Sequence, residues 1–140
     1  MLIDSFMQTG KIFLGCRYPI MCGAMTWVSD PKLVNAVGNA GGLGLLAGGN
    51  TPVDELRALI EQTGALSDNP FGVNLITLAP VYKQQLNMIC DLGCKIVMFA
   101  GGIPRKKEIQ KAKDSGAKVL CFAPTGPLAL KLIDMGADAL

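Results

Sequence analysis

Apolar residues along the chain follow two rhythms that take turns. Runs with little charge at residues 18–25, 43–47, 69–77, 95–100, 118–123 and 137–140 are too short for helices. They are also too apolar for strands with a wet face, so they read as parallel strands covered on both sides. Between them apolar residues recur at helical spacing, as in Leu33, Val34, Ala36, Val37 and Ala40, then Leu56, Leu59 and Ile60, then Leu86, Ile89 and Cys90. Each stripe predicts an amphipathic helix with one face inward. Ser29-Asp30-Pro31 offers a capping side chain followed by proline at the first helical position, and Thr51-Pro52-Val53-Asp54 repeats the signal. Pro80 and Pro104 open two more helices, another covers residues 128–135, and Gly41 and Gly64 are expected to end the first two. Residues 1–17 form a lead-in with a short helix near residues 3–8.

The second half repeats itself. DLGCKIV, DSGAKVL and DMGADAL each place Asp, then Gly two positions on, then an apolar strand, with the glycines at 93, 116 and 136. That spacing holds one helix, one strand and two short loops. Six strands and five helices at this interval favour a (β/α)8 barrel over a doubly wound sheet, with about six of the eight strands present. The 17 lead-in residues would precede a barrel portion spanning 18–140.

Composition narrows the function. Half of the 140 residues are hydrophobic and 17% are charged, which suits strands buried on both faces. Net charge is +2, and Arg105-Lys106-Lys107 reads as the solvated first turn of a helix. With no basic face or interleaved aromatics, nucleic-acid binding is not expected. Neither a continuous apolar span nor a signal peptide is read, so no membrane association and a cytoplasmic location are expected. Five cysteines in no CxxC pair read as reduced, buried thiols. No histidine is present, which excludes an imidazole base or ligand within these residues.

Few residues offer chemistry. Gly42-x-Gly44-x-x-Ala47 follows a helix and enters a strand, the reverse of a dinucleotide fingerprint. Asn74 is a polar residue in an apolar strand; it either braces a loop or meets a polar ligand. Cys22-Gly23-Ala24-Met25 could lay flat backbone against a planar ligand or form a tight turn against a helix. Lys118, at the start of a strand, is expected to be solvated on the face away from a barrel's site. Strand-end loops rich in Gly, Ala, Met and Pro suit a bound cofactor that does the chemistry, with a small-molecule substrate. No metal ligands are expected.

At YPIMCGAM, SDPKLVNAVGNAGGLGLLAGG, NPFGVNL, GCKIVMFAGGIP and GAKVLCFAPTGPLALKLIDMGADAL the chain resembles the nitronate monooxygenase family, formerly 2-nitropropane dioxygenases, which also includes enoyl-ACP reductase II. The resemblance runs in unbroken order from Tyr18 to Leu140. It implies a (β/α)8 barrel holding FMN at the carboxyl ends of its strands. Gly23, Ala24 and Met25 would lie along the flavin, Asn74 would hydrogen-bond to it, and Ala100 and Gly101 would line the pocket. The family's catalytic histidine and glycine-rich phosphate loops are expected after Leu140, leaving no catalytic residue here. The implied reaction is oxidation of an alkyl nitronate by O₂ to a carbonyl compound and nitrite, with the rest of the barrel needed. The alternative is flavin-dependent enoyl-ACP reduction. A third reading is an inactive truncated barrel that self-associates as a homo-oligomer through its unpaired edge strands.

Overall fold

The computed structural model describes residues 2–140. Five parallel strands, β1 (Met21–Cys22), β2 (Leu43–Ala47), β3 (Phe71–Ile76), β4 (Ile96–Ala100) and β5 (Lys118–Cys121), lie side by side in chain order. Helices alternate with them: α1 (Leu2–Leu14), α2 (Pro31–Asn39), α3 (Val53–Leu66), α4 (Tyr82–Asp91), α5 (Lys106–Asp114) and α6 (Gly126–Asp134). This is a curled parallel sheet, a partial (β/α)8 barrel. The start of a sixth strand is present as a parallel bridge between Leu120 and Ala139.

Alternation along each strand splits the core in two. Leu46, Val73, Leu75, Val97, Phe99, Val119 and Cys121 face the helices, packed against Leu56, Leu86, Ile89 and Ile109. Leu43, Leu45, Ile96, Met98 and Leu120 point to the inside of the curl. Register puts Gly72 beside Leu45 on that inner side. A Cβ at Gly72 would lie 2.5 Å from Leu45 Cδ2 and 2.9 Å from Ile96 Cγ2, so the neighbours fill its place.

The repeated DxG turns share one hydrogen-bond pair. Gly93 N–H donates to Cys90 O and Cys94 N–H to Ile89 O; Gly116 and Ala117, then Gly136 and Ala137, repeat the pattern. All three glycines have positive φ, from 65° to 104°. This is the Schellman ending, which needs a left-handed residue just past the helix. Gly41, at φ 92°, and Gly42 end α2 in the same way, as the sequence predicts.

Several expectations are corrected. The lead-in forms a full helix to Leu14, because Phe13 and Leu14 gain an apolar seat under the inner core. Lys118 is exposed, as expected, but its ammonium also donates to the Ile12 and Phe13 carbonyls and lies 5.2 Å from the Phe13 ring centroid. It thus caps the carboxyl end of α1, where a cation is favourable. The first strand shrinks to two residues, since only Met21 and Cys22 find partners in β2. No side chain caps α3; the Thr51 hydroxyl donates instead to Ala47 O, closing the β2–α3 loop. Gly64 does not end α3 but lies inside it. Of the five thiols only Cys121 is buried; the others are half-buried.

Candidate functional site

The carboxyl ends of the strands surround a cavity of about 310 Å³. Gly23 and Ala24 from the loop after β1, Asn74 from β3 and Ala100 from β4 line it together. Four of the six residues singled out from sequence therefore meet in one place. Met25 and Gly101 stand outside the lining, each next to a residue that belongs to it. Gly101 has φ 80°, and a Cβ there would come 2.7 Å from Ile76 Cγ2. Its observed contribution is to let the β4–α5 loop turn tightly over Ile76.

Each element holds its residue for a local reason. The Ser29 hydroxyl accepts from Met25 N–H at 2.8 Å and donates to Gly23 O at 3.3 Å, pinning the loop after β1. Asp30 caps α2 through Leu33 N–H at 2.9 Å and so fixes where that loop ends. No protein atom lies within 4 Å of where a Gly23 Cβ would be, so this glycine leaves open space beside the cavity. Asn74 is 7% exposed, and its side-chain oxygen has no hydrogen-bond partner. A buried amide oxygen left unpaired costs about 1–3 kcal/mol, so in a residue that lines a cavity it suits a ligand N–H or O–H.

Sequence reading missed residues that the fold adds. Met21, Leu45, Ile76, Met98 and Phe122 complete the wall, all apolar and none ionisable. Phe122 was legible in principle, two positions beyond inward-facing Leu120. Gln85 was overlooked because the helical stripe was traced only through apolar residues. It is fully buried and donates to Gly48 O at 3.3 Å and Thr51 O at 2.7 Å, holding the β2–α3 loop over β3. Burial also pushes the Cys94 and Cys121 thiols up to about 11, which keeps both protonated and unreactive at neutral pH.

Beside the cavity loop, Trp27 holds φ 67° while its side chain is 96% exposed. A left-handed non-glycine residue costs about 1–2 kcal/mol, and an exposed indole returns little. Trp27→Gly is therefore expected to stabilise the chain by about 0.5 kcal/mol after glycine's own entropy cost. A thermal melt checks this; a lower melting temperature would mean the indole packs on something.

The nitronate monooxygenase family model matches residues 8–82, more than half of the chain. The chain belongs to the nitronate monooxygenase family. Among curated relatives, a (3aS,4S,5R,7aS)-5-hydroxy-7a-methyl-1-oxo-octahydro-1H-indene-4-carboxyl-CoA dehydrogenase of Mycobacterium tuberculosis is 35% identical over 127 residues. That alignment covers 91% of this chain and 36% of the dehydrogenase. A nitronate monooxygenase of Paraburkholderia phytofirmans is 44% identical over 77 residues, covering 52% of this chain and 21% of the relative. The structure of FabK from Thermotoga maritima superposes with a TM-score of 0.89 at 33% identity, over 93% of this chain and 42% of FabK. A nitroalkane oxidase from Streptomyces ansochromogenes gives 0.84 at 26% identity, over 92% of this chain and 46% of the oxidase. The chain thus spans 36% and 21% of the length of these two curated relatives and under half of the structural ones. Among the described residues no helix is long and apolar enough to cross a membrane.

Proposed function

We propose that the chain supplies the amino-terminal strands of an FMN-dependent oxidoreductase barrel that oxidises alkyl nitronates with O₂ to a carbonyl compound and nitrite. Asn74 carries the reading: it lines a cavity whose other walls are backbone and apolar side chains, and its buried amide oxygen has no partner. An isoalloxazine ring asks for that combination, a flat apolar slot with a few fixed polar contacts. When bound, the flavin supplies the electron transfer between nitronate and O₂. The residues here bind and orient. Asn74 would hydrogen-bond to the cofactor, Gly23 and Ala24 would leave the ring room to lie against the backbone, and Ala100 would keep the pocket shallow. Met98 and Ile76 would exclude water. No lining residue is ionisable, so proton exchange is not a task of this part of the barrel.

The test is the visible spectrum after incubation with excess FMN and desalting. Flavin bands should persist in the wild type, and Asn74→Ala should weaken binding about tenfold, the effect of roughly 1.4 kcal/mol for a buried hydrogen bond. A colourless wild-type protein would overturn flavin binding by these 140 residues on their own, leaving the chain as a family fragment.

One observation favours a second reading, flavin-dependent reduction of an enoyl thioester with a nicotinamide as hydride donor. The relative matched over 91% of the chain at 35% identity is named for a carboxyl-CoA substrate, whereas a probable nitronate monooxygenase matched over 89% of it is 26% identical. Nitrite release from propionate 3-nitronate, against NADH or NADPH consumption with crotonyl thioester, separates the two.

A further inference from the structure

A second feature lies outside the cavity, on the helix layer. Between α4 and α5 runs a cleft of about 270 Å³ walled by Lys83 and Asn87 on one side and by Arg105, Lys107 and Lys111 on the other. Spacing makes the walls match: 83 and 87 are one turn apart on α4, as are 107 and 111 on α5. Four cations meet one carboxylate there, Glu108, a local excess of three positive charges where the whole chain carries +2. That carboxylate is already engaged, accepting from Tyr82 Oη at 3.1 Å and the Arg105 backbone N–H at 2.8 Å, with Arg105 Nε 3.6 Å away at the edge of an ion pair. Lys111 donates to Asn87 Oδ1 at 2.5 Å, while Lys83 and Lys107 have no ion-pair or hydrogen-bond partner among the described residues. Gathering like charges costs energy unless an anion repays it.

The cleft and the cavity are joined by two loops of the chain. The β3–α4 loop leaves the cavity at Ile76 and reaches the cleft at Lys83; the β4–α5 loop leaves at Ala100 and arrives at Arg105. The loops run side by side, joined by Thr77 N–H to Ala100 O at 2.9 Å. A Cβ on Gly102 would lie 2.7 Å from Thr77 Oγ1. Their crests expose Leu78 (77%) and Ile103 (52%), an apolar strip between a neutral pocket and a basic cleft.

We propose that the α4–α5 cleft binds phosphate groups, and that their source is a coenzyme A-type thioester whose linker crosses Leu78 and Ile103 and whose acyl end enters the cavity. Lys83, Lys107 and Arg105 hold the phosphates. The apolar strip carries the uncharged arm. The link to the cavity rests on its being the reaction site, as the thioester reading requires; phosphate binding by the cleft does not.

Calorimetric titration of the chain without flavin, using coenzyme A, pantetheine and inorganic phosphate, tests the site apart from the cofactor. Coenzyme A should bind at least tenfold more tightly than either of the others, and more weakly at 300 than at 50 mM salt. Lys83→Glu and Lys107→Glu, both on exposed side chains, should each weaken it about tenfold, while Lys131→Glu on α6 should change it less than twofold. Failure of coenzyme A to bind, or equal loss with Lys131→Glu, would overturn the site. Inorganic phosphate binding as tightly as coenzyme A would overturn the thioester as its source.

Discussion

Replacing Phe99 by alanine is expected to cost about 4 kcal/mol of stability, within the 3–5 kcal/mol range for a buried Phe→Ala change. Phe99 is 1% exposed, on the side of β4 that faces the helices. Its ring meets that of Tyr82 edge-on, with centroids 6.2 Å apart and planes at 74°. Such pairs contribute about 0.5–1.5 kcal/mol beyond area burial. The cavity would also loosen Tyr82, whose hydroxyl donates to Glu108 and whose buried phenol is held far above its usual pKa, first by desolvation and then by that carboxylate. Urea titration should show a lower midpoint at unchanged slope. Phe99→Leu, which keeps most of the volume, should cost under about 1.5 kcal/mol. A loss below that figure for alanine would mean that β4 and α4 close on the gap.

Gly48→Ala is expected to destabilise by about 3 kcal/mol and to disturb the cavity as well, the upper end of what overpacking costs. A Cβ at Gly48 would lie 2.5 Å from the Asn74 carbonyl oxygen. That atom is backbone in a central strand and cannot swing aside. The same carbonyl accepts from Gly48 N–H at 2.9 Å, and Gly48 O accepts from buried Gln85. Relief of the clash therefore breaks at least one of these bonds and leaves a buried polar group unpaired. A thermal melt and the flavin-binding spectrum should both worsen. Gly64→Ala is the control: it lies within α3 with no atom within 4 Å of the new Cβ, and should be neutral or slightly stabilising. A Gly48→Ala protein that melts with wild type would show that the β2–α3 loop lifts freely.

Much of the fold was legible because its signals are local. β2 was bounded at Leu43 and Ala47 by glycines on both sides, and the DxG repeat marked three helix ends that need positive φ. Asp30 before Pro31 announced the start of α2, and its side chain caps there. Local signals failed where partners are distant. Thr51 looked like a cap, but Ala47 O offered its hydroxyl a better bond; Gly64 looked like a stop, but packing of α3 carries the helix through it. The reach of β1 depended on β2, and α1 grew to thirteen residues because the inner core and Lys118 receive its end.

For the site, sequence could mark Asn74 as a misfit but not where its amide points, because a buried polar side chain is read by what surrounds it. Gly23 and Ala24 read equally as flat backbone for a planar ligand or as a tight turn, Ala100 joined only through family resemblance, and their meeting around one cavity is a product of strand register. The cations at 83, 105, 107 and 111 look scattered along the chain, since helical period and the α4–α5 packing bring them to one cleft. The amino-acid sequence by itself determined the alternation of strands and helices, the positions of the turns and the buried character of the sheet, all set by spacings within a few residues. Only the tertiary structure decided which inward residues share a cavity and which charges share a groove, because both depend on contacts between residues far apart in the chain.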